Sequence, residues 1–181
     1  MTAHSKGRRP PPPLTESALQ DMAIRYVGRF ATTRAKLRSY LTRKLRERGW
    51  DGANEPDVER IAERMAELGY VNDQAFALAK AQSLTGRGFG KRRVDEKLRQ
   101  AGVAEEDGEQ ARAVAEEGAL ASALRFAERR RFGPYSVSNS ADPRQREKAI
   151  GAMVRAGHAF GLARRIVDLP AGSDVNVLYD S

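Results

Sequence analysis

Residues 69–103, GYVNDQAFALAKAQSLTGRGFGKRRVDEKLRQAGV, hold the punctuation, hydrophobic period and charge that recur elsewhere in this chain. Within them Val94 and Leu98 lie four residues apart, and Gly102 follows four after the last. Residues at that spacing share a helical face, and glycine accepts the left-handed backbone on which many helices end. The stretch therefore reads as an apolar helical stripe closed by a glycine stop. The same offsets return upstream in Leu37, Leu41, Leu45 and Gly49, and downstream in Ala149, Met153 and Gly157. Successive glycines stand 53 and 55 residues apart, the signature of one unit copied three times.

Working outward, each glycine stop falls in the middle of a group of three helices. In the first group Thr15 or Ser17 caps a helix reaching Phe30, with Leu19, Met22, Ala23, Tyr26, Val27 and Phe30 inward. A second helix starts near Thr33 and ends at Gly49, and Asp57 caps a third that buries Val58, Ile61, Met65 and Leu68. The second group opens at Asn72 or Asp73 with Ala75, Phe76, Leu78 and Ala79 inward, continues after Gly90, and closes with an acidic helix over residues 105–117. The third has a helix over 120–131, a second burying Ile150, Met153 and Val154, and a last one carrying Leu162, Ala163, Ile166 and Val167 before Pro170. Sustained two-residue alternation is lacking. The expected fold is all-α: three tandem three-helix repeats over residues 15–70, 71–117 and 118–169, the last interrupted by a loop at 132–143. A basic, proline-rich tail over 1–14 and a C-terminal tail over 170–181 flank them. Units of about fifty residues bury too little apolar area to stand alone comfortably, so they are expected to stack into an elongated curved rod.

Composition narrows the function. The 181 residues contain no cysteine, which removes disulfides, thiol catalysis and thiolate metal sites. The two histidines, His4 and His158, lack ligand partners at useful spacing and read as solvent-facing. The N-terminal MTAHSKGRRPPPP has no apolar signal core, and no stretch reaches the roughly 20 apolar residues of a membrane span, so a cytoplasmic protein is expected. Net charge is +8. The excess is clustered in Arg34, Lys36, Arg38, Arg43, Lys44, Arg46 and Arg48, and again in Arg87, Lys91, Arg92, Arg93, Lys97 and Arg99. Such clusters attract a polyanion and speed encounter with it, which points to nucleic acid or an assembly built on it.

No catalytic constellation accompanies this charge, and no cofactor is implied. The glycine-rich GRGFGKR over 86–92 suggests a phosphate loop. However, Thr85 stands where the first glycine of that motif belongs, Arg92 replaces the magnesium-holding Ser or Thr, and no strand precedes it. Glu105, Glu106 and Asp107 sit at a helix start, where the macrodipole favours negative charge without acid catalysis. Trp50 and Tyr70, each after a helix-ending glycine, are expected to pack back over the helix end.

Three segments carry a resemblance: AIRYVGRFATTRAKLRSYLTRKLRERGW over 23–50, VERIAERMAELGYVNDQAFA over 58–77 and GRGFGKRRVDEKLRQAGV over 86–103. Together with KAIGAMVRAGHAFGLARRIVD over 148–168, they resemble the RecX regulatory proteins of bacteria. The resemblance implies three tandem three-helix repeats that bind the RecA recombinase, lodge along its DNA filament, and mostly inhibit its ATPase and strand exchange. It also implies weak, non-specific binding to single- or double-stranded DNA by a protein that is not an enzyme; no heptad seam argues for a coiled-coil dimer, so a monomer is expected. The contact face expected on this chain comprises Arg34, Lys36, Arg38, Arg43 and Arg46 in the first repeat and Arg87, Lys91, Arg92, Arg93 and Arg99 in the second. Two alternatives remain open from the sequence: a helix-turn-helix DNA-binding protein, and a helical adaptor that works without a recombinase.

Overall fold

The computed structural model describes residues 11–137 and 142–179, within which nine α-helices and two short 3-10 helices account for the regular structure. Two compact units divide at Asn72. Residues 1–10, His4 among them, and 138–141 of the expected loop lie outside the described residues.

The first unit holds α1 (Glu16–Val27), α2 (Arg34–Arg48) and α3 (Val58–Glu67). Each starts where a short polar side chain accepts a backbone N–H of the first turn. Thr15 Oγ1 takes it from Ala18 at 3.3 Å, Thr33 Oγ1 from Lys36 at 3.2 Å and Asp57 Oδ1 from Arg60 at 2.9 Å. Leu19, Ala23, Leu37, Leu41, Ile61, Ala62 and Met65 form the core between them, and Tyr26 stacks on Tyr40 with ring centroids 4.2 Å apart.

Several sequence expectations are corrected here. Leu14, assigned to the tail, is completely buried: its N–H donates to Gly49 O at 3.0 Å, and its carbonyl accepts from Asp51 N–H at 2.9 Å, a parallel bridge beside Trp50. Apolar area draws this residue into the core, and the bridge satisfies its backbone there. The first helix stops at Val27, which leaves Phe30 56% exposed. Leu68 caps α3 from the outside, and Tyr70 is 60% exposed instead of folding over the helix end.

The second unit contains α4 (Asp73–Gly86), α5 (Lys91–Gln100), α6 (Glu105–Glu117), α7 (Ala119–Arg130), α8 (Pro143–Arg155) and α9 (Phe160–Val167). Helices α4 and α6 pack closely through small side chains, Ala77 and Ala81 meeting Ala111 and Ala115 in one core with Leu84, Val94 and Leu98. The inward face of α4 is thus Ala77, Ala81 and Leu84, and the expected Ala75 and Ala79 are exposed. A second core gathers Leu124, Phe126, Ile150, Met153, Ala163 and Ile166. Leu178, in the expected C-terminal tail, is buried in it through a 3-10 turn over Val175–Leu178.

The repeat is visible in how α5 and α8 end. After α5, Gly102 N–H donates to Arg99 O and Val103 N–H to Leu98 O; after α8, Gly157 donates to Val154 O and His158 to Met153 O. Both glycines have positive φ, and both turns are Schellman motifs, which fold the residue after the glycine back onto the helix. That residue is Val103 in one repeat and His158 in the other, and both are buried. His158 is therefore not solvent-facing. Gly49 ends α2 differently, with an extended exit and a single bond to Leu45 O.

Candidate nucleic-acid and filament interface

The candidate contact residues all lie on the two middle helices α2 and α5 or, for Arg87, in the loop before α5. The structure sorts them by what faces them. In the first unit Arg34 pairs with Glu63 of α3 at 3.5 Å, and Arg38 with Glu59 of the same helix. Arg43 lies over the Tyr40 ring, 5.8 Å from its centroid, and within 3.8 Å of Glu47. Lys44 also holds Glu47, whose pKa is lowered chiefly by that hydrogen bond. Arg46 is exposed with no ion pair among the described residues. Lys36 sits half-buried on the same helix.

On α5, Lys91 bonds Asp95 at 2.9 Å and approaches Glu116 of α6 at 3.9 Å. Arg93 bonds Glu96 at 2.8 Å and thereby holds that carboxyl below its usual range. Arg92 and Arg99 are exposed, without ion pairs among the described residues. Seven residues apart, they fall on one outward line of the helix, about 10 Å from each other along its axis. Arg87 lies over the Phe89 ring at 5.5 Å. The ten cations thus do not form one uniform face. Those turned towards α3 and α6 are neutralised within their own repeat, while Arg46, Arg92 and Arg99 point outward uncompensated. Arg46 and Arg99 each stand three residues before the glycine that follows their helix; Val154 holds that place before Gly157.

What orients α5 is the GRGFG segment, and its glycines serve packing. Gly90 N–H donates to Ala156 O at 3.0 Å and Arg92 N–H to Gly157 O at 3.1 Å. A Cβ on Gly90 would lie 2.4 Å from Gly157 C and O. Of the backbone donors a phosphate loop would offer, those of Gly90 and Arg92 are taken by the turn after α8 and those of Gly88 and Phe89 by the end of α4. His158 Nε2 reaches Gly88 O at 3.1 Å, so it carries the proton and donates, while Nδ1 is buried with no protein partner. Burial lowers the His158 pKa, only partly offset by the bond to Gly88. From α7, Arg125 donates to Thr85 O at 2.9 Å and Arg129 to Arg87 O at 2.6 Å, placing two cations on the carbonyl end of α4. The sequence reading missed His158, Arg125 and Arg129. A signal for His158 was present in its alignment with Val103; none marks the two arginines.

Fold and site together define a class: an all-helical repeat protein whose middle helices carry outward cations and whose glycine loops join repeats. Comparison with known proteins narrows this. Residues 72–111 match the family model described as the second three-helix domain of RecX. The chain is 29% identical over 173 residues to regulatory protein RecX of Myxococcus xanthus, covering 90% of this chain and 91% of that one. It is 30% identical over 160 residues to regulatory protein RecX of a Mycobacterium species, covering 87% and 86%. The crystal structure of RecX from Lactobacillus salivarius superposes with a TM-score of 0.60 at 18% identity, covering 83% of this chain and 93% of that one. The chain belongs to the RecX family of regulatory proteins. No helix among the described residues is long and apolar enough to cross a membrane.

Proposed function

We propose that this protein regulates the RecA recombinase by binding its DNA filament, mostly inhibiting ATPase and strand exchange, as a cytoplasmic monomer with only weak, non-specific affinity for free DNA. The observation that carries the reading is the recurrence of an outward, uncompensated arginine at one place in two successive repeats, Arg46 on α2 and Arg99 on α5, with Arg92 beside the latter. Each exposed cation contributes little alone, on the order of 0.2–1 kcal/mol. Several on rigid helices act together, because the first contact raises the effective concentration of the next. Contacts that bridge neighbouring subunits oppose the rearrangements that nucleotide turnover needs. Of the remaining candidates, Arg34, Arg38, Arg43, Lys91 and Arg93 join this face where a partner's anions compete with their internal carboxylates, and Lys36 and Arg87 extend it.

The test is the DNA-dependent ATPase of the host recombinase on single-stranded DNA, titrated with the protein from substoichiometric ratios upward. A fall in rate is expected, and its loss in the triple variant Arg46→Glu, Arg92→Glu, Arg99→Glu with helicity unchanged. An unaltered ATPase at stoichiometric protein, with DNA binding intact, would replace this reading with plain DNA binding.

A further inference from the structure

On the first unit, α1, α3 and the loop after Trp50 enclose a groove of about 940 Å³ that the basic face does not include. Its floor is apolar: Leu19, Ile61 and Met65 close the bottom, and the half-exposed Ile24 and Leu68 stand at 50% and 49% exposure along the open side. The Trp50 indole forms one wall and is fixed there, since Nε1 donates to Asn54 O at 2.6 Å and the ring lies against Gly52, where a Cβ would fall 2.3 Å from it. Around this floor stand five carboxylates, Glu16, Glu55, Asp57, Glu63 and Glu67, against two arginines, Arg60 and Arg64; Glu67 is paired with Arg64 and Glu63 with Arg34 of α2, which leaves Glu16, Glu55 and Asp57 without an ion pair among the described residues. A protein of net charge +8 thus carries an apolar groove whose rim is acidic.

Those two properties select the occupant. A polyanion is repelled by the rim and has no use for the floor. Isolated apolar side chains on a soluble surface are ordinary, whereas an apolar floor framed by charge of one sign fits an apolar stripe flanked by the opposite sign. We propose that the groove between α1 and α3 docks a basic amphipathic helix of a partner protein, its leucine-like anchors on Ile24, Leu68 and Trp50 and its lysines or arginines on the carboxylate rim. The mode is helix-in-groove recognition, in which anchors at i, i+3 or i+4 and i+7 enter an apolar slot. None of the candidate contact cations lines this groove, and of them only Arg34, through its pair with Glu63, touches its rim.

The probe is a synthetic amphipathic peptide of leucine and lysine with helical periodicity, added to the full-length chain and followed by amide chemical shifts and fluorescence anisotropy. The expected result is saturable binding with shifts confined to α1, α3 and residues 50–57. A peptide with glutamate in place of lysine should not bind. Ile24→Glu and Leu68→Glu should each weaken affinity at least tenfold. Because both side chains are half-exposed, neither change should unfold the unit. Gly52→Ala, which displaces the indole, should weaken it as well. Shifts scattered over the surface, binding indifferent to Leu68→Glu, or equal binding of the glutamate peptide would overturn the proposal. So would binding that appears only when Lys6, Arg8 and Arg9 are replaced by glutamate, which would assign the groove to the chain's own N-terminal segment.

Discussion

Gly90→Ala isolates the contact that positions the basic helix α5. Gly90 has an ordinary φ of −82°, so alanine brings no backbone strain, and any loss of stability comes from the space its Cβ must take. That Cβ would sit 2.4 Å from Gly157 C and O and 2.6 Å from His158 N, all backbone atoms that cannot rotate away. Comfortable carbon contacts begin at about 3.5 Å, so the turn after α8 must retreat by about 1 Å. The bonds from Gly90 N to Ala156 O and from Arg92 N to Gly157 O, now 3.0 and 3.1 Å, would then stretch to about 4 Å and cease to be hydrogen bonds. Two net bonds at about 1 kcal/mol each, plus part of the cost of leaving buried groups unsatisfied, give about 2–4 kcal/mol. For a chain of this size that lowers Tm by roughly 5–15 °C. Gly86→Ala is the control, since nothing lies within 4 Å of its Cβ and it closes α4; its stability should stay level or rise by about 0.5–1 kcal/mol. Thermal and urea unfolding followed by circular dichroism measure both. Equal stability of Gly90→Ala and wild type, or an equal loss in Gly86→Ala, would refute the close-approach argument.

Three further outcomes are expected. Leu14→Ala removes a fully buried side chain ahead of α1 and should cost about 2–5 kcal/mol in urea unfolding, whereas a residue in a loose tail would cost nothing. His158→Val places the residue of the matching repeat, Val103, in the same turn and should change how stability depends on pH. In the wild type the folded-state pKa of His158 is depressed, so the unfolded chain takes up the proton first. Stability contributed by the neutral ring is full above the ordinary value of 6.5 and is lost as pH falls towards the folded pKa. The difference between variant and wild type measured as pH falls below about 6.5 should show this slope disappearing. Arg92→Glu and Arg99→Glu should each weaken binding to recombinase-coated DNA and lower the steepness of its salt dependence by about one phosphate contact, as read from affinities across a salt series, while Arg38→Glu should disturb the fold near Glu59 more than the binding.

How much of this was legible depended on how local the physics is. Asp57 was readable as a cap, Thr15 as one of two candidates with Ser17, and Thr33 as the start of its helix, because a short polar side chain before a helical stripe needs only its own neighbours. The glycine stops were readable for the same reason, and their recurrence gave the three repeats. The inward face of α4 was not. In an alanine-rich helix several faces are nearly equivalent, and the choice of Ala77 and Ala81 over Ala75 and Ala79 is made by the alanines of α6, some thirty residues away. His158 was misplaced because its polarity was weighed without its position in the repeat. The basic clusters stood out in composition, but their division could not, since it depends on Glu59 and Glu63 facing α2 and on Glu116 facing α5.

That division gives the charge a direction. If every arginine and lysine of α2 and α5 were free, the surface would attract polyanions over a broad area and hold them in no particular pose. Carboxylates of the flanking helices α3 and α6, with Glu47, Asp95 and Glu96 on α2 and α5 themselves, pair with most of these cations, leaving Arg46 in one repeat and the Arg92–Arg99 line in the next. In the third repeat Val154 takes the corresponding place, and the groups it offers instead are Ala156 O, Gly157 O and His158 on the loop before α5, with Arg125 and Arg129 on the end of α4. Under the proposed function the third repeat therefore works by positioning. It fixes the angle at which α5 carries its two free arginines, and acts on a partner through them. A clasp variant such as Gly90→Ala should then weaken filament inhibition even at temperatures where the chain is folded, with Arg92 and Arg99 both intact.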